Sequence, residues 1–281
     1  MWKYKLGLNI CDFPGLTTED QITLFRQVGF DAFFTGWWQG APIARWKAHA
    51  EEVGMEYQSI HSPFRHAANL WRSSEIAKDG IDELIACLRD CAENEIPIMI
   101  AHVFIGFTEH TPTPEGIENY GKVATEAKKL GVKLAFENTE GEEYLASLME
   151  AFADNDYVGF CWDTGHEMCY NRSKDMLSLY GDRLIATHLN DNLGVWNYNG
   201  EILSSRDDLH LLPFDGIGDW QGIADRLDHH HFDGVMTFEL KQTSHEGRHE
   251  NDVYREMTPV RYVTEAYKRA CRVAALRGKN Q

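Results

Sequence analysis

Apolar residues are distributed along the chain in two alternating patterns. Short runs rich in β-branched and aromatic residues occur at 4–10, 32–35, 55–61, 97–104, 132–138, 158–163, 184–191 and 235–241. Between and after them, at 18–28, 42–53, 74–94, 114–130, 142–155, 174–180, 220–227 and 259–277, apolar residues recur every three or four positions. The first pattern predicts buried strands and the second amphipathic helices. Eight such βα repeats predict a parallel sheet, and eight units close naturally into a (β/α)8 TIM barrel.

Boundary residues support the same elements. Gly29, Gly54 and Gly131 each follow a helical segment by one residue, where a left-handed cap favours glycine. Thr17 or Thr18 precedes the first helix and Ser73 or Ser74 the third, as N-caps do, while Pro112 and Pro114 open the fourth. The longest irregular stretch, 192–219, holds Trp196, Tyr198, Asp207, Asp208, His210 and Gly216-Ile217-Gly218. Loops of that length in a compact domain are usually functional. A second long connection, 242–258, is polar and charged and reads as a lid or an oligomer contact.

Composition narrows the class. A chain of 281 residues matches one barrel over its whole length, 1–281. With 43% hydrophobic and 25% charged residues it reads as globular with a large core, not as disordered or collagen-like. The net charge of −17 argues against nucleic acid, whose affinity for proteins comes from Lys and Arg displacing counterions. No secretory segment opens the sequence and no run approaches the ~20 apolar residues of a spanning helix, so no membrane association and a cytoplasmic location are expected. Six irregularly spaced cysteines lack CxxC pairs and read as reduced core residues, Cys87 and Cys91 lying one helical turn apart.

The polar residues point to chemistry. Six predicted strands end in a residue able to ligate: His61, His102, Glu137, Asp163, His188 and Glu239. One histidine at a strand end is commonly structural, but six together, at the face where such barrels carry their sites, mark a site. Alternation puts Ala135 with Glu137, Cys161 with Asp163, Ala186 with His188 and Thr237 with Glu239 on the barrel-facing side. Phe136, Trp162, Leu189 and Phe238 then face the helices. Carboxylates that converge cannot all stay ionised without a cation, so one divalent metal ion held by Glu137, Asp163, His188 and Glu239 is expected. Three oxygen donors and one imidazole suit Mn²⁺ first, with Mg²⁺, Co²⁺ or Zn²⁺ as alternatives.

The segments Ile60-His61-Ser62-Pro63-Phe64, Phe136-Glu137-Asn138-Thr139, Cys161-Trp162-Asp163-Thr164-Gly165-His166, His188-Leu189-Asn190-Asp191, Gly218-Asp219-Trp220 and Phe238-Glu239-Leu240-Lys241 occur in that order at the predicted strand ends. Together they resemble the xylose isomerase-like TIM barrel superfamily, in particular its sugar phosphate isomerase/epimerase branch, over essentially the whole length. The resemblance implies the same four metal ligands, with His166 beside them contacting substrate oxygen. The same superfamily contains the endonuclease IV type of DNA repair enzyme with three zinc ions, and its ligand positions are matched by His61, His102 and Glu137, by Glu137, Asp163, His188 and Glu239, and by His166, Asp208 and His210. Ketohexose epimerases of the family carry an Arg six residues after the metal His; Gly194 stands there in this chain, whereas Glu143 matches a substrate-binding Glu.

These readings define the expected function. A sugar, polyol-derived ketone or their phosphates would undergo isomerisation or epimerisation by proton abstraction next to a carbonyl through a metal-stabilised enediolate, with Glu137 and Glu239 as the acid–base pair and His166 stabilising charge on oxygen. His61, His102, Asp208, His210, Lys241 and Trp38 are expected to line the substrate pocket, and Trp37, Phe64, Trp71, Phe104, Phe107 and Trp196 are further aromatic candidates for its wall. The alternatives are a dehydratase or lyase on an oxidised inositol or glycoside, a multi-zinc phosphodiesterase, and a sugar-binding barrel without turnover. The acids Glu140, Glu142, Glu143, Glu201, Asp207 and Asp208 in the mouth loops are expected to repel phosphates. The expected partner is a small carbohydrate; a homo-oligomer is compatible with the sequence. His229-His230-His231 reads as the polar end of a helix.

Overall fold

A computed structural model describes residues 4–108, 111–195 and 204–278. Trp196, Tyr198 and Glu201 lie outside the described residues. Strands β1 (Leu6–Asn9), β2 (Ala32–Gly36), β3 (Glu56–His61), β4 (Ile98–His102), β5 (Lys133–Glu137), β6 (Val158–Asp163), β7 (Leu184–His188) and β8 (Met236–Phe238) pair in parallel in the order β7-β6-β5-β4-β3-β2-β1-β8. The ring closes between β7 and β8: the Leu189 amide donates to the Thr237 carbonyl at 2.8 Å and the Glu239 amide to the Leu189 carbonyl at 3.2 Å. The chain therefore folds as the (β/α)8 barrel that its alternating pattern predicts.

The helices are α1 (Thr18–Val28), α2 (Ile43–Val53), α3 (Ser74–Glu93), α4 (Pro114–Leu130), α5 (Glu142–Ala151), α6 (Thr164–Met168), α7 (Leu177–Tyr180), α8 (Trp220–His229), α9 (Asp252–Arg255) and α10 (Pro259–Ala274). Thr17 caps α1 reciprocally with Asp20, and Thr113 caps α4 with Pro114 in its first turn. Gly54 and Gly131 end α2 and α4 in the left-handed conformation. Ser73 occupies the N-cap position of α3 but makes no side-chain cap bond.

The layers follow the alternation. Ile100, Ala135, Cys161 and Ala186 form the small core inside the ring. Phe136, Trp162, Leu189 and Phe238 pack outward into the large core between strands and helices. Cys87 and Cys91 are buried in that outer core, and all six cysteines are free thiols. Among the described residues no helix is long and apolar enough to cross a membrane.

Several boundaries differ from the expectation by a few residues, and three differences have a local reason. The strand expected at 235–241 is only Met236–Phe238: the Glu239 amide makes the last ladder bond, to the Leu189 carbonyl just past β7, and the Lys241 amide turns away to the His210 carbonyl at 3.0 Å. The helix expected at 174–180 is only Leu177–Tyr180, since Arg172 and Ser173 take positive φ values of 54° and 57° in a turn before it. A short helix, α6, starts at once after β6: the Asp163 carboxylate accepts from the His166 amide at 2.7 Å and so caps it.

Candidate active site

Register places the strand ends at one level. His102 pairs with Glu137 across β4 and β5, and Asp163 with His188 across β6 and β7. Glu239, one residue past β8, completes the group. Ligand atoms of Glu137, Asp163, His188 and Glu239 all lie within 4.8 Å of one another. His188 Nδ1 sits 2.9 Å from Glu137 Oε1 and 3.1 Å from Glu239 Oε2. Glu137, Asp163 and His188 are fully buried.

Two further groups adjoin this one. His61 and His102 approach Glu137 Oε2 through Nε2 at 3.3 and 3.4 Å. His166 and His210 approach Asp208 Oδ2 through Nε2 at 3.3 and 2.7 Å. The Nδ1 atoms of His61, His166 and His210 lie 2.8, 2.9 and 3.1 Å from the carbonyl oxygens of Ser62, Asn138 and Glu239. A carbonyl only accepts, so each Nδ1 carries the proton and a neutral ring would turn an Nε2 lone pair towards a carboxylate. Two acceptors face one another stably only around a proton or a metal ion. Glu137 Oε2, the oxygen that His61 and His102 face, is buried without a hydrogen-bond partner, which fits a cation-binding centre.

The electrostatics show the same demand for positive charge. Burial pushes the Glu137 carboxyl up, but the imidazoles of His188, His102 and His61 override it and hold the group well below the usual range. Burial also raises Glu239, and His188 and His210 bring it down to about 2. Burial would lower His188 and His166, yet the surrounding carboxylates hold both well above the ordinary imidazole value. His210, lowered by burial but facing Asp208 and Glu239, rises to about 9. Asp163 is instead pushed up to about 6 by burial, which His166 only partly offsets. Protons on three imidazoles thus supply the counter-charge that a divalent ion would supply to these carboxylates.

Neighbouring residues fix the side chains of this centre. Asn138 and Asp163 exchange hydrogen bonds of 2.8 Å between side chain and backbone, and Asn190 Nδ2 donates to both Asp163 carboxylate oxygens at 3.2 and 3.1 Å. Asp191 anchors the long loop after β7, accepting from the amides of Asn192, Phe214 and Gly218 and from Trp220 Nε1 at 2.8–2.9 Å. The Gly218-Asp219-Trp220 motif therefore serves loop anchoring. Outside the ring, Glu167 accepts from Trp162 Nε1 and Arg226 at 2.8 Å each, locking α6 to α8.

The aromatic candidates divide. Phe64 stacks on His102 with ring centroids 4.6 Å apart, at the centre. Trp37 donates to Asp90; Trp71 packs on Tyr120 and Tyr144 and Phe104 stacks on Tyr144, and both Trp71 and Phe104 line a cavity of about 540 Å³. Trp38 is 54% exposed, and its ring contact is with Trp46 of α2. Lys241 lines a cavity of about 190 Å³ together with Glu239 and His210. Glu143 lies in the first turn of α5 beside Glu142, which pairs with Lys174. His230 pairs with Asp182 at the end of α8, away from the centre. Sequence reasoning missed Phe34, whose ring stacks 4.5 Å from that of His188, and Tyr170, 4.9 Å from His166. A register shift between Phe33 and Phe34 spoils the parity that would have flagged Phe34. The mouth acids also differ from a bare repulsive rim: Glu140 is buried, Asp207 pairs with Arg248 at 3.1 Å, and Asp208 belongs to the histidine cluster.

An α/β barrel with a carboxylate–imidazole centre at the C-terminal ends of its strands defines the class. The Xylose isomerase-like TIM barrel family matches residues 22–259, and the chain belongs to that family. The zinc-bound IOLI protein is similar over 96% of this chain and 98% of its own, at TM-score 0.75 and 15% identity. D-psicose 3-epimerase from Clostridium cellulolyticum H10, solved with D-tagatose, matches over 96% and 99% at TM-score 0.72 and 14% identity. The 3-keto-D-glucoside 4-epimerase YcjR from E. coli matches over 90% and 100% at TM-score 0.64 and 18% identity. In sequence, the uncharacterized protein y4fM of Sinorhizobium fredii is 38% identical over 101 residues, 35% of this chain and 29% of that protein. The chain thus aligns with under a third of the length of that curated relative.

Proposed function

We propose that the chain is a divalent-metal-dependent isomerase or epimerase of a sugar, a polyol-derived ketone or their phosphates. The observation that carries this reading is the approach of two carboxylates, Glu137 and Glu239, to one imidazole nitrogen at 2.9 and 3.1 Å, with Asp163 in the same group. Glu137, Asp163, His188 and Glu239 would hold the ion, with Mn²⁺ first among the candidates for this donor set. A bound divalent ion supplies fixed positive charge beside a substrate carbonyl, which makes the adjacent C–H more acidic. Glu239, the more accessible of the two glutamates, would remove that proton; for an epimerisation Glu137, after taking up a proton that originates from solvent, would deliver it to the opposite face, while Glu239 would give up its own proton to solvent. His166 donates to the oxygen on which negative charge develops. Phe64 and Tyr170 present ring faces against sugar C–H groups and exclude water. The sugar epimerases among the structural neighbours support the same reading.

A second reading is favoured by a specific observation. The three clusters around Glu137 and Asp208 coincide with three metal-ligand sets, which suits a multi-zinc phosphodiesterase. Metal stoichiometry by native mass spectrometry, paired with cleavage of an abasic-site duplex at low salt, separates the two. The proposed function predicts one tightly held ion per chain and no cleavage. Three ions with efficient cleavage would replace it by the second reading.

A further inference from the structure

We infer that the substrate carries an anionic terminal group, a carboxylate or phosphate, which Lys241 recognises from a seat built by His245. The inference rests on the isomerase reading and adds the chemical class of the substrate's far end. Lys241 and Glu239 line the same cavity of about 190 Å³, with His210, Asn9, Thr243 and the exposed Asp12. Water occupies about 30 Å³ per molecule, so this space holds a small charged group and the carbon that bears it. Lys241 lies two residues beyond Glu239, and both residues open on this one cavity.

The lysine is held in place without being neutralised. Its backbone amide donates to the His210 carbonyl at 3.0 Å, and its carbonyl accepts from Asn251 Nδ2 at 2.7 Å. Its ammonium lies 3.5 Å from His245 Nδ1, and His245 Nε2 lies 2.7 Å from the Asp208 carbonyl oxygen. Because that carbonyl only accepts, Nε2 carries the proton and Nδ1 offers its lone pair to the ammonium. Among the described residues no carboxylate lies within ion-pair distance of Lys241, although the chain carries 44 acidic residues against 27 basic ones. A half-buried ammonium seated on a neutral acceptor beside a catalytic glutamate retains donors for a ligand anion. Asp12 is the one acidic group in the lining besides Glu239, and a ligand anion would bind against it only if Lys241 prevails.

The test is calorimetric binding of D-fructose, D-fructuronate and D-fructose 6-phosphate to the Mn²⁺-loaded protein and its Lys241→Gln and Lys241→Arg variants. These ligands share a skeleton and end in an alcohol, a carboxylate and a phosphate. The wild type should bind at least one anion roughly 10- to 100-fold more tightly than D-fructose, as one charge-assisted hydrogen bond implies. Lys241→Gln should abolish that preference, so that the ratio of anion to D-fructose affinity falls to about one, and Lys241→Arg should restore part of it. The stronger of the two anions identifies the terminal group. Equal binding of neutral and anionic ligands, no binding of either anion, or a preference surviving in Lys241→Gln would overturn the inference. Anion-selective binding without exchange of substrate hydrogen with solvent would instead overturn the isomerase reading and leave this one standing.

Discussion

Gly165 gives a sharp test of how Asp163 would be positioned as a metal ligand. It lies in the first turn of α6, where alanine would ordinarily favour the helix by up to about 1 kcal/mol. A Cβ added at Gly165, however, would overlap Asn190 Oδ1 and stand 2.9 Å from its Cγ. Asn190 cannot then keep its amide on both Asp163 oxygens, bonds that now measure 3.2 and 3.1 Å. Groups that orient a metal ligand are typically worth 10–100-fold in metal affinity, or about 1.4–2.7 kcal/mol, whereas the helical gain acts alike on the metal-free and metal-bound protein and leaves affinity unchanged. Gly165→Ala should therefore weaken Mn²⁺ binding by 10–100-fold while shifting the metal-free melting temperature by only a few degrees, as about 1 kcal/mol does in a chain of this size. Asn190→Ser, which removes the amide without crowding, should lose metal affinity to the same extent. Titration calorimetry of both variants decides the matter. Wild-type Mn²⁺ affinity in both would refute the claim that Asn190 positions Asp163 as a ligand.

Three other outcomes follow from the same geometry. Asp191→Ala strands three backbone amides and the Trp220 indole that now share its carboxylate, so urea denaturation should show a loss of roughly 3 kcal/mol or more; under about 1 kcal/mol would mean the loop is held elsewhere. Mn²⁺ binding should release protons, because His188 is held protonated by Glu239 and Glu137 against burial and must give up that proton to ligate; calorimetry in buffers of different ionisation enthalpy would show no such dependence if the reading is wrong. Apparent metal affinity should also fall as pH drops through about 6, where burial leaves Asp163 taking up a proton that competes with the ion, and affinity that stayed flat from pH 7 to 5 would contradict this assignment.

The barrel was legible in the chain because strand runs alternate with helix-period segments, and period-2 alternation on β5 and β7 put Ala135 below Glu137 and Ala186 below His188, which marked the inner face without coordinates. The residues that converge at the strand ends were legible for the same reason. What hid was set by irregular backbone: a register shift turns Phe34 under His188, and α6 begins on Asp163 with no gap, so neither obeys a period. The roles of Asn190 and Asp191 were equally hidden, since adjacent residues of one motif serve different ends, Asn190 on a ligand and Asp191 on a loop some 23–29 residues further on. Charge counting was a weaker guide, because acids such as Asp207 face Arg248 inside the fold instead of facing solvent.

The central claim is proton transfer next to a carbonyl by Glu137 and Glu239, and incorporation of solvent deuterium into ketose substrates measures it most directly. Mn²⁺-loaded protein incubated in deuterated water with a panel of neutral, carboxylated and phosphorylated ketoses should label the carbon beside the carbonyl of at least one of them. Glu239→Gln, which keeps an oxygen for the ion but cannot act as a base, should slow that labelling by about 10²–10⁴-fold with metal still bound. Labelling at the wild-type rate in the metal-loaded variant, or no labelling of any ketose by the wild type, would contradict the account.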